Sequence, residues 1–236
     1  MITYFLDAAL RQMQGLAVSV ELTIIPSVIG LVLGFFGGVL LRHRSRWVRY
    51  PIIGVVDVLR GFPALLILYI VYYGLPQIDI VLSSMVSAIV AFALTIAGFT
   101  AEIFRAAIAS VPTGQLEAAK ALGLKPFATT RLVVLPHVVG VATPALIGII
   151  VMAFQGTSLA ISIGVTELTG VAFQYGQVNF TMLSEITVAA VLYLIVTSLL
   201  IWIEVWAERR ANRIAGGTST GPRGGAVGII IPPAIR

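Results

Sequence analysis

Long apolar runs, rather than short alternating ones, set the pattern along this 236-residue chain. A helix needs roughly 20 mostly apolar residues to cross about 30 Å of hydrocarbon. Five stretches meet that length: 16–41, 52–75, 81–104, 138–161 and 186–205. Polar residues collect between them, and the basic ones do so unevenly. Arg42, Arg44, Arg46 and Arg49 follow the first run, Arg105, Lys120, Lys125 and Arg131 lie between the third and fourth, and Arg209, Arg210 and Arg213 follow the fifth. The connections 75–81 and 162–185 carry no Lys or Arg. Positive loops stay cytoplasmic, so the pattern predicts an all-α integral membrane domain over 1–215 with five transmembrane helices. Its amino terminus is expected outside and its carboxyl terminus inside.

Composition agrees. The chain is 58% hydrophobic and 11% charged, with a mean hydropathy of +1.03, whereas a soluble domain is about 25% charged. The net charge of +5 does not point to nucleic acid, because the basic residues sit beside apolar runs as juxtamembrane anchors do. The absence of cysteine excludes disulfides, thiol catalysis and cysteine metal sites. The start, MITYFLDAALRQ, has neither a basic n-region nor a small-residue cleavage site, so no removable signal peptide is expected. The end, GGTSTGPRGGAVGIIIPPAIR over 216–236, is too poor in apolar side chains to order itself and is expected to be a flexible cytoplasmic tail.

Within the first run Gly30, Gly34 and Gly38 recur every four residues, a spacing that lets another helix approach closely. The partner is either a second subunit or a helix of this same chain. Charged residues within or beside the runs also ask for a reason, since each is expensive in a membrane. Asp57 and Arg60 are three apart, as are Glu102 and Arg105. Both are read as structural ion pairs on one helix face, with a gate or a contact to a cytoplasmic partner as the alternative. Glu21 is placed in the outer headgroup zone, and Glu167 and Glu185 are read as acids of a solvated outer loop. His43 is assigned to the headgroups and His137 to a structural hydrogen bond.

The segment 117–136, EAAKALGLKPFATTRLVVLP, is unlike a simple connector. Pro112 suits a helix start. Glu117, Ala118, Ala119, Lys120, Ala121 and Leu122 continue a slim helix, Gly123 is placed as its left-handed cap, and Leu124 and Lys125 lead to Pro126, which opens a second short helix. By chemistry alone the segment suits either docking into a protein groove or lying on lipid headgroups.

The spacing E-A-A-x3-G-x9-V-x-L-P, from Glu117 to Pro136, resembles the EAA loop of ATP-binding-cassette importer permeases, with Val133 where that pattern has Ile. Asp57–Pro76 (DVLRGFPALLILYIVYYGLP), Ala101–Gln115 (AEIFRAAIASVPTGQ) and Gly156–Thr169 (GTSLAISIGVTELT) resemble, in order, segments of the polar amino acid permeases. Phe62 replaces the Thr of that subfamily, and Gln155 and Gly156 replace the basic residue and acid that often precede T-S-L there.

The resemblance implies the five-helix fold of type I importers and a role in uptake of a polar amino acid or a relative such as an opine. It implies that Glu117–Lys125 couple to a cytoplasmic ATPase. The implied partners are a second permease subunit (identical or related), two ATPase subunits and an extracytoplasmic solute-binding protein. No phosphate loop G-x-x-x-x-G-K-[ST] occurs in the chain, so ATP and magnesium are expected on the partner ATPase, with no catalytic residue, metal or cofactor here. A translocation path is expected along Thr95, Thr143, Gln155, Thr157 and Ser158. The stretch 162–185, with Phe173, Gln174, Tyr175 and Asn179, is expected to form a lid or docking surface. The competing class, a secondary transporter or channel that works without ATP, commonly shows internal repeats, and none is visible here.

Overall fold

The computed structural model describes the backbone of residues 2–214 and the side chains of residues 5–210. The expected tail, 216–236, lies outside the described residues. Helix α1 (Ile2–Leu40) has 39 residues and is about 58 Å long at 1.5 Å per residue. It begins well before the expected residue 16 because its polar first turns find partners inside the protein: Gln12 is fully buried and Arg11 reaches Glu185 of the last helix at 3.0 Å.

Along its second half α1 lies against α4 (Ser84–Ala109), a helix kept slim by buried alanines at 88, 91, 93, 97 and 101. A Cβ built on Gly30, Gly34 or Gly38 would come within 2.6, 1.9 or 2.7 Å of Ile96, Thr100 or Phe104, respectively. Thr100 Oγ1 lies 2.8 Å from the Ile96 carbonyl and 3.1 Å from the Gly30 carbonyl of α1, so it is satisfied inside the seam. Of the two partners considered for these glycines, a helix of the same chain is the one found.

The second apolar run departs from expectation. It is not one straight span over 52–75 but α2 (Arg46–Gly61) followed by α3 (Ala64–Tyr69), which continues through a π turn (Ile70–Gly74) and a 3-10 turn (Leu75–Ile78). The two halves are bent by 104°. Pro63 is the physical reason: it has no N–H to continue the helix, and it holds Phe62 in the extended region, φ −83° and ψ 138°.

After α4 the chain forms α5 (Thr113–Ala121), then α6 (Pro126–Thr129), a π turn (Thr130–Val134) and α7 (Leu135–Gly156). The expected second short helix is therefore not separate from the fourth span. It runs on through Pro136, and 126–163 reads as one membrane-length helical stretch. Pro136 leaves one rung of the ladder open in any case, which the wider π turn beside it accommodates. A 3-10 turn (Thr157–Ile163), α8 (Leu168–Val178) and α9 (Met182–Ile214) complete the described fold. Among the described residues four helices are long and apolar enough to span a bilayer, and the broken α2–α3 pair makes up to five.

Candidate coupling segment and polar clusters

Helix α5 starts directly after Pro112 and ends in a left-handed residue, Gly123, at φ +69°. Gly123 N–H donates to the Lys120 carbonyl at 2.9 Å and Leu124 N–H to the Ala119 carbonyl at 3.1 Å. That pair of bonds is the Schellman end that only glycine adopts without strain. Nothing lies within 4 Å of a Cβ built on Gly123, so backbone conformation, not space, selects the residue.

Of the nine residues assigned to coupling, Glu117, Ala118, Lys120, Ala121, Leu122, Gly123 and Lys125 are exposed, Leu124 is half-buried and Ala119 is buried. Leu122 stands 78% exposed at the tip. The base of α5 is anchored: Leu116 packs against the cluster formed by Ala107 of α4, Val111 just after it, and Val138 and Ala142 of α7. Ser110 Oγ and His137 Nε2, 3.1 Å apart, join the same two helices, in keeping with the hydrogen-bonding role expected for His137. Between α5 and α7 runs a mostly apolar groove of about 880 Å³, with Ala119, Leu124, Val133 and Pro136 among its walls and Glu208 of α9 at one edge.

The four residues expected to form ion pairs come together around one cavity of about 410 Å³ between α2 and α4, with Arg49 as a further member. Glu102 accepts from Arg105, with Arg105 Nε at 2.8 Å from Oε2. Asp57 and Arg60 do not pair. Arg60 reaches across to Glu102 at 4.0 Å instead. The break at Phe62–Pro63 is what allows this, because it tips the end of α2 onto α4, where Leu59 and Arg60 pack at Gly98.

The five path residues do not share one surface. Gln155 and Ser158 line a cavity of about 400 Å³ with Thr169, Tyr193 and Thr197. Thr95 Oγ1 donates to the Ala91 carbonyl at 2.9 Å and Thr143 Oγ1 to the Val139 carbonyl at 2.6 Å, each back onto its own helix. Thr157 is fully buried, donates to the Phe154 carbonyl at 2.7 Å and sits 3.2 Å from Tyr193 Oη, so it presents nothing to an open path in this conformation. In the stretch 162–185, expected to lie outside, Phe173, Gln174, Tyr175 and Asn179 are all exposed.

Two acids overturn the reading of a solvated loop: Glu167 is 0% and Glu185 1% exposed. Glu167 caps α8, accepting from the backbone N–H groups of Thr169 and Gly170 at 3.0 Å each. It also accepts from Tyr193 Oη of α9 at 2.7 Å and Ser19 Oγ of α1 at 3.2 Å. Glu185 accepts from Gln12 Nε2 at 2.8 Å and Arg11 Nη2 at 3.0 Å. A buried carboxylate survives when several donors replace its water, and the helices supply them. A partial signal was present in the sequence: Glu167 directly precedes a helix-forming run, where an N-cap acid belongs. Ser19 and Tyr193, from distant apolar runs, gave none. Among the described residues no three His, Asp or Glu side chains gather as a metal site.

With this geometry in hand, the similarities to known proteins are informative. Residues 29–213 match the family described as binding-protein-dependent transport system inner membrane component. The octopine transport system permease protein OccM of Rhizobium radiobacter is 32% identical over 218 residues, covering 86% of this chain and 89% of that protein. The histidine/lysine/arginine/ornithine transport system permease protein HisM of Escherichia coli K12 is 31% identical over 206 residues, 83% of this chain and 87% of that protein. The crystal structure of an amino acid ABC transporter with histidines superposes with a TM-score of 0.82 at 25% identity, over 89% of this chain and 98% of that one. The inward-facing MetNI methionine ABC transporter, at 22% identity, shares the fold with a TM-score of 0.72 over 85% of this chain and 96% of that one.

Proposed function

The chain belongs to the binding-protein-dependent transport system inner membrane family, and on that premise we propose that it moves a polar amino acid, or a related compound such as an opine, across the inner membrane. It is a multi-pass permease subunit of an ATP-binding-cassette importer. Family membership implies an ATPase and a solute-binding protein as partners. In the full assembly two such permease subunits, identical or related, face two ATPase subunits on the cytoplasmic side and one binding protein outside. The loop between α4 and α7 is cytoplasmic, in keeping with its basic residues and the uncharged outer connections. ATP and magnesium belong to the ATPase.

The observation that carries the coupling role is the attachment of α5. An exposed, slim helix with a fixed glycine end docks in a cleft of the ATPase, while Leu116, Val111, Ala107 and Val138 lock its base to α4 and α7 at once. Movement of the ATPase subunits then passes to both helices together, and the outer and inner openings of the path exchange. The solute class is supported by the names of the similar permeases, and the neutral cavity that Gln155 and Ser158 line offers hydrogen-bonding groups to a polar solute.

The test is reconstitution of the permease with its ATPase and binding protein in liposomes, followed by uptake of a panel of labelled amino acids and opines. One of these is taken up only with ATP and binding protein. Gly123→Val forces a β-branched residue to φ +69°, a strain of roughly 1–2 kcal/mol, and unmakes the α5 end. Uptake falls at least about tenfold, while the thermal unfolding of the helix bundle changes little, because the tip is exposed. Normal uptake by Gly123→Val would remove the coupling role from this turn. ATP-independent uptake would remove the importer reading.

A further inference from the structure

Helix α2 has three distinct faces, although its residues from 52 on were expected to begin a transmembrane span. Ile52, Val56 and Leu59 turn into the bundle against Leu41, Ala101 and Gly98. Trp47, Val55 and Val58 form an exposed apolar stripe, with Trp47 at 91% exposure. Arg46, Arg49, Asp57 and Arg60 make a third, polar stripe, all exposed. A helix of 16 residues with this division, bent by 104° from the segment that follows, is built for the boundary of a bilayer rather than its centre.

Charge singles out the kind of boundary. Between 42 and 60 the chain carries five arginines and one acid, Asp57. Among the described residues Arg42, Arg44, Arg46 and Arg49 join no ion pair. The cavity of about 410 Å³ beside α2 is lined by Arg49, Arg60 and Arg105 but also by the acids Asp57 and Glu102, so it holds its own counter-charges, and the side of α2 turned away from it is the one open to an anion. Arg105 and Arg60 are both engaged by Glu102, which leaves Arg42, Arg44, Arg46 and Arg49 as the guanidinium groups with capacity to spare. An exposed arginine stripe, Arg46 and Arg49, running beside an exposed apolar one, Trp47, Val55 and Val58, matches a phosphate headgroup with the first part of its acyl chains.

We propose that α2 is a membrane-surface helix that binds anionic phospholipid, with the headgroup phosphate held by Arg46 and Arg49 and the neighbouring lipids drawn by Arg42 and Arg44. The proposal rests on the transporter reading only for the leaflet concerned, the cytoplasmic one. It is tested on the purified full-length chain in lipid nanodiscs, without ATPase or solute, so transport can fail while lipid binding stands, and the reverse.

Trp202→Phe and Trp206→Phe leave Trp47 as the sole tryptophan. Its fluorescence is then quenched by brominated phosphatidylglycerol or brominated phosphatidylcholine at equal mole fraction. The anionic lipid quenches more strongly, with an enrichment of roughly fivefold for each arginine engaged. Arg46→Gln with Arg49→Gln removes the preference, and Arg46→Lys with Arg49→Lys keeps most of it. Equal quenching by the two lipids in the parent protein overturns the proposal without any arginine variant having to fold. Quenching by neither lipid would mean that Trp47 does not enter the bilayer and would overturn it too.

Discussion

The two ends of α1 are held by opposite means. Its second half meets α4 along Gly30, Gly34 and Gly38, where the contact exists because side chains are missing. Its first half meets α8 and α9 through Gln12 and Ser19, which donate to two fully buried carboxylates, Glu185 and Glu167. A glycine seam sets how closely two helices approach but carries few directional bonds. A buried carboxylate with four donors sets rotation and register as well, since every donor must find its lone pair. The first half of α1 with α8 and α9 is thus one polar-locked body, while the glycine seam with α4 is held by shape.

The sharpest way to break that contrast is Glu167→Ala. It leaves the Tyr193 and Ser19 hydroxyls and the Thr169 and Gly170 amides without their acceptor, and each orphaned buried donor costs about 1–3 kcal/mol. This gives the largest expected fall in the thermal unfolding midpoint of the purified protein. Tyr193→Phe removes the bond to the Glu167 carboxylate, which costs about 1.5–3 kcal/mol, together with the contacts of the same hydroxyl to Thr157 and Thr169. At the other end Gly34→Ala pushes a methyl against Thr100, and overpacking of this kind costs about 1–3 kcal/mol, so the midpoint shifts less than for Glu167→Ala. A larger loss from Gly34→Ala would show that shape outweighs the polar lock. The smallest effect belongs to Asp57→Asn, within about 0.5 kcal/mol, because Arg60 turns to Glu102 instead. If Asp57→Asn destabilises as much as Glu102→Gln in the same melt, Asp57 and Arg60 pair after all.

Features with a local cause were legible along the chain. The long apolar runs are there, with their ends moved by a few turns, because burial in hydrocarbon depends on length and composition alone. Gly123 sits where a capping glycine was expected, and Pro112 and Pro126 open helices, because these residues act on their own backbone. Features decided by distant partners were not legible. The break in the second run was missed although Pro63 was in plain view, since a proline in a membrane helix kinks it by an amount that the neighbours set. Glu167 and Glu185 were misplaced because the donors that make their burial tolerable lie on helices more than 20 residues away or at the other end of the chain.

By itself, then, the order of residues determined that this is a helical membrane protein, which loops carry its positive charge, and where a slim helix ends in a left-handed glycine. Those follow from hydropathy, from charge and from backbone sterics, each of which acts over a few residues. Only the tertiary structure decided that the glycine seam closes within the chain, that Arg60 serves Glu102, that Thr157 is buried behind Tyr193 and that two acids belong to the interior. Each of these depends on which helix faces give up their water to each other, and a single helix does not contain that information.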